Sequence, residues 1–146
     1  MRRFVLERTL YGGRIFAEVT VLDDGLHILL AGGERTHVGA TALAQGGALL
    51  ACPAYPGHKE QTVCERWAQE LSRHTGGCVT VCGGIHYDNA TKEQIAEILH
   101  VCGELLREGE NRLAQGVCVG NAQVCNAVQN TMDAGGSKIT AAGIVV

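Results

Sequence analysis

The chain has 146 residues, of which 46% are apolar and 18% charged, and its formal net charge is −3. That profile suits one globular domain able to bury roughly two-thirds of its unfolded surface, and sets aside disorder and coiled coil. The 12 basic residues are scattered and no stretch approaches the roughly 20 apolar residues of a membrane span, so neither nucleic acid nor membrane is an expected partner.

The opening "MRRFVLERTL" is too charged for a signal peptide, and the expected location is cytoplasmic. "RFVLERTL" and "RIFAEVTVL" are rich in β-branched and aromatic residues and flank the turn-forming Tyr11-Gly12-Gly13. Asp23-Asp24-Gly25 then divides "AEVTVL" from "LHILLAGG", the strongest short-range hairpin signal present. Residues 4 to 32 therefore read as an antiparallel meander of three strands. "VGATALA" (38–44) and "ALLACPA" (48–54) read as tightly packed strands, with a short helix the alternative for the first.

From residue 55 the pattern changes. "HKEQTVCERWAQELSRH" sets Val63, Trp67 and Leu71 on one face, predicting an amphipathic helix near 58–74 that ends at Gly76-Gly77. "CVTVCGGI" reads as an interior strand. Thr91-x-x-Gln94 forms a capping box ahead of an apolar stripe of Ile95, Ile98, Leu99, Cys102, Leu105 and Leu106, predicting a second helix near 91–106. Further on, a short helix near "NAQVCNAVQN", a loop at "DAGGSK" and a closing strand "KITAAGIVV" are expected. The architecture is α+β, a mainly antiparallel sheet with two helices on one face.

Seven cysteines, at 52, 64, 78, 82, 102, 118 and 125, offer no CxxC pair. Cys78 and Cys82 would share a strand face about 13 Å apart, too far for one metal ion. Reduced, buried thiols are the expectation.

Three loops pair a histidine with glycine or turn residues. "GGERTHVGATA" holds His37 and Gly39. "YPGHKE" holds His58, Lys59 and Glu60 at a helix start, where an anion bound by Lys59 and free backbone N–H groups would offset the unfavourable meeting of a cation with the helix dipole. The plain alternative is a lysine pointing into water. "GGIHYDNATKEQ" holds His86, Asp88 and Asn89. Asn89, Thr91 and Asp88 suit a helix start, whereas His86 and Tyr87 have no capping role and either pack under the loop or face a pocket. Lys59-Glu60-Gln61 and Lys92-Glu93-Gln94 echo each other, a match short enough to be chance. No nucleophile elbow, Walker loop, HExxH or paired-carboxylate pattern is found, which favours a ligand-binding protein over a self-sufficient enzyme.

His37-x-Gly39-Ala40, Gly57-His58-Lys59-Glu60 and Gly84-Ile85-His86-x-Asp88-Asn89 together resemble the prenylated-flavin chaperone family, whose namesake is the small D subunit associated with bacterial gallate decarboxylase. The resemblance is clearest over residues 15 to 106, within one domain expected to span 1–146. It implies a non-catalytic accessory protein that binds prenylated FMN, or FMN, made by a flavin prenyltransferase, and helps deliver it to a UbiD-type decarboxylase. The cofactor-binding residues it implies are His37, Gly39, His58, Lys59, Glu60, His86, Asp88 and Asn89, with Lys59 on the phosphate. A homo-oligomer is expected, since "VGATALA" and "ITAAGIVV" can pack closely and a large cofactor is easily enclosed between subunits. Two rivals stand beside it: a metal-dependent enzyme with His37, His58 and His86 as ligands assisted by Asp88 or Glu60, and a purely structural decarboxylase subunit.

Overall fold

A computed structural model describes residues 1–115. The first strands are β1 (Arg2–Leu10), β2 (Gly13–Val21) and β3 (Gly25–Gly33), paired antiparallel in sequence as the meander predicts. Tyr11 and Gly12, both with positive φ, form the two-residue turn between β1 and β2, the geometry whose twist matches a hairpin. Both small-residue segments are strands, β4 (Arg35–Gln45) and β5 (Ala48–Ala51), so the helical alternative for 38–44 is not adopted. Helix α1 (Gln61–Thr75), strand β6 (Cys78–His86) and helix α2 (Lys92–Ala114) follow. The short helix, loop and closing strand expected further on lie outside the described residues.

The strand order is β1-β2-β3-β6-β4-β5. Strand β6 lies between β3 and β4, parallel to the first and antiparallel to the second. The sheet is thus mainly antiparallel, with one parallel pair at its centre. Strands β3 and β4 are neighbours in sequence that part to admit β6, and its last residue, His86, lies in register with both Gly33 and Arg35.

Side chains alternate across each strand, and one set is buried with both helices. Ile15, Val19, Ile28, Leu30, Ala42, Val79 and Val81 join Trp67, Leu71, Leu105, Leu106 and Leu113 in one core. Trp67 is 1% exposed, as the helical stripe predicts. Thr20, His27, Thr80 and Leu43 sit side by side across the opposite face, where they are at least partly exposed. No described helix is long and apolar enough to cross a membrane.

Helix α2 carries the predicted capping box, with Thr91 and Gln94 bonding each other's backbone N–H groups. It runs to Ala114, well past residue 106, because Gly109 and Leu113 pack into the core, Gly109 against Leu6. Helix α1 starts at Gln61 with Glu60 as N-cap, so His58 and Lys59 lie in the turn before it rather than in its first turn. The two Lys-Glu-Gln runs therefore occupy different helix positions, which removes any structural basis for a repeat.

Candidate functional site

Helix α1 packs on β4 and β6, and α2 on β1 and β2. Over the carboxyl end of β6 the helices leave a cavity of about 260 Å³. Leu30, Gly83, Gly84 and Ile85 come from the strands, Val63 and Cys64 from α1, and Ile98 and Cys102 from α2. Burial pushes the thiols of both Cys64 and Cys102 up to about 12, so at neutral pH both are uncharged. The five described cysteines are all free thiols.

Two glycines let these elements meet. A Cβ on Gly83 would lie 2.5 Å from Cys64 Sγ, and one on Gly84 only 2.0 Å from the carbonyl oxygen of His37. Opposite Gly84, strand β4 carries a bulge: Thr36 pairs with Ile85 and Ala40 with Gly83, so His37, Val38 and Gly39 oppose one residue. Bulges re-aim side chains next to binding sites. This one brings His37 to within 3.2 Å of Glu60, Nε2 to Oε1. The approach is off line for a hydrogen bond, and both His37 Nε2 and Glu60 Oε2 are buried without a partner. The indole N–H of Trp67 is also buried unpaired.

The three predicted histidines converge. The His37 ring lies 4.9 Å from that of His58 and 5.8 Å from that of His86. One ring nitrogen of each of the other two turns to a protein group: His58 Nδ1 lies 3.3 Å from the carbonyl of Pro56, and His86 Nε2 lies 2.8 Å from Asp88 Oδ1. Among the described residues, no three His, Cys, Asp or Glu side chains are grouped to hold a metal ion.

Asp88 Oδ1 also accepts from Arg35 Nη2 at 2.8 Å. The His86 imidazole, and then the Arg35 guanidinium, hold the Asp88 carboxyl below its ordinary range. Asp88 thus orients His86 rather than lining the cavity. Arg35 went unmarked in the sequence because its partners are 51 and 53 residues away. Of the predicted residues, Lys59, Glu60 and His86 line the cavity, His37 and Gly39 stand against Glu60, and His58 lies beside His37. Asn89 occupies a left-handed turn at φ 55°, outside the lining. Tyr87 divides the alternatives posed for it: it lines the cavity, and its hydroxyl donates to the carbonyl of Leu10 at 2.8 Å under the first hairpin.

Ile95 and Leu99, assigned by periodicity to the core stripe, instead line the cavity at 41% and 47% exposed. Their apolar spacing was visible, but the gap between the helices was not.

A small, largely apolar cavity with a few convergent polar groups has the construction of a small-molecule site. Residues 10–114 match the family described as the prenylated flavin chaperone LpdD-like domain, and the chain belongs to that family. A relative named Protein LpdD, from Lactiplantibacillus plantarum (strain ATCC BAA-793 / NCIMB 8826 / WCFS1), is 27% identical over 113 residues, covering 74% of this chain and 82% of the relative. The family match reaches the end of α2, a wider span than the residues 15 to 106 over which the motifs resemble the family.

Proposed function

We propose that this protein is a non-catalytic carrier that binds prenylated FMN, made by a flavin prenyltransferase, and delivers or protects it for a UbiD-type aromatic acid decarboxylase. Family membership supports a chaperone role for a prenylated flavin. The observation that carries the reading further is the Glu60 carboxyl in the wall of an apolar cavity whose glycine floor permits close approach, its Oε2 buried without a hydrogen-bond partner and its Oε1 beside His37. Sites for small molecules commonly measure roughly 300–1,000 Å³, so about 260 Å³ takes the ring system and leaves the phosphate tail at the rim. Lys59 lines that rim with no ion pair among the described residues.

In this reading the flavin supplies electrophilic and redox chemistry only to the recipient enzyme. The chain's own side chains bind it, keep water from the ring, and present neutral thiols rather than nucleophilic thiolates. The chain works as a homo-oligomer.

Co-expression with a flavin prenyltransferase tests the reading. Purified protein is expected to retain a flavin-like absorbance and a ligand of the mass of prenylated FMN. Colourless protein with no flavin mass would sink the proposal, and stoichiometric zinc, iron or manganese in its place would point to the three-histidine alternative. Co-purification with the decarboxylase without flavin affinity would mark a purely structural subunit.

A further inference from the structure

Glu60 is the N-cap residue of α1, where a side chain ordinarily accepts from a backbone N–H of the first turn, and it makes no such bond. Its carboxyl turns to the β4 bulge instead. Oε2 rests 2.8 Å from where a Cβ on Gly39 would stand, buried and unpaired. Oε1 has only the off-line His37 Nε2 near it. No hydrogen bond reaches either oxygen among the described residues. The side chain keeps 17% of its surface open and lines the cavity, so a ligand seated there meets it.

We infer that Glu60, seated by Gly39 and faced by His37, reads the imide edge of the flavin ring and so fixes which way the ring enters. This rests on the flavin reading above. An ionised carboxylate accepts and never donates, so it requires an N–H or O–H from the ligand. The ring system of an oxidised flavin carries a single N–H, the imide N3–H between two carbonyls. Prenylation leaves that edge unchanged. Glu60 on the imide edge sets the ring's orientation, and Lys59 at the rim is left for the phosphate.

Gly39 is the positioning residue. Its backbone lies outside the left-handed region, and the atoms an alanine Cβ would crowd first are the end of the Glu60 side chain, at 2.8 and 2.9 Å. That end can swing aside, so Gly39→Ala moves the carboxyl while the fold persists. Glu60→Leu removes the acceptor without removing a helix cap, because none is made.

The test titrates FMN and 3-methyl-FMN against wild type, Glu60→Leu and Gly39→Ala, with thermal unfolding of each. Wild type is expected to bind 3-methyl-FMN about tenfold or more weakly than FMN, the size of a hydrogen bond to a charged group. Glu60→Leu should weaken FMN by a similar factor and bind both ligands alike. Gly39→Ala should lose the same discrimination with an unfolding midpoint close to wild type. Equal binding of the two flavins by wild type, or discrimination that persists in Glu60→Leu, overturns the inference and leaves flavin binding standing. Discrimination retained by Gly39→Ala overturns its seating role. Wild type that binds neither flavin brings down the inference together with the reading it rests on. The comparison of ligands in wild type needs no variant, so misfolding of a variant cannot spare the inference.

Discussion

Lys59 was expected inside the first turn of α1, where it would oppose the helix dipole. It stands one residue before the N-cap, where that penalty is weaker, and on the cavity rim. Lys59→Ala should therefore leave thermal stability level and weaken FMN about tenfold, with riboflavin, which lacks the phosphate, unaffected. Titration of both flavins decides this: equal loss for both, or loss for neither, removes Lys59 from the phosphate. At this scale the sequence displayed residue types better than pairings. His37, His58 and His86 were visible because each sits beside turn residues, and they do converge. The contact of His37 with Glu60 and the Arg35–Asp88–His86 network were not visible, since the first joins β4 to the start of α1 and the second joins β4 to the end of β6, segments far apart in sequence.

At the scale of elements, local chemistry foretold what local chemistry controls. The capping box at Thr91 and the stripe through Trp67 rest on residues three or four apart, and both are present. The bulge at 37–39 has no local signature, because it exists only against Gly84 on another strand. The stripe of α2 is legible in the sequence only to residue 106, since Gly109 is a poor helix former until Leu6 covers it. Gly84 offers the sharpest test. A Cβ there would meet backbone, at 2.0 Å from the His37 carbonyl oxygen, where Gly39 faces a movable side chain. Gly84→Ala is expected to cost about 1–3 kcal/mol or more, and Gly39→Ala clearly less. Urea denaturation of both variants checks the order, and equal midpoints would contradict the account of the bulge.

For the whole molecule, one sheet face is covered by helices and the other is bare among the described residues, with Val5 and Leu43 at 42% and 38% exposed. That surface supports the expectation of a homo-oligomer. Light scattering at working concentration, with flavin present, should give a mass of two chains or more, and a monomer would exclude it. The strand order has a further consequence, in the order of synthesis. While the ribosome has delivered only residues 1–77, β3 and β4 each lack the neighbour that will separate them, and each presents a row of unpaired backbone groups. The sheet then consists of a three-strand meander and a two-strand ribbon with no ladder between them. The nascent chain must hold that gap open, avoiding a direct β3–β4 pairing that their short connection invites, until residues 78–86 arrive to fill it. The two glycines that shape the floor of the cavity are thus borne by the last strand of the described sheet to be made, and the binding site comes into being only when the sheet is closed.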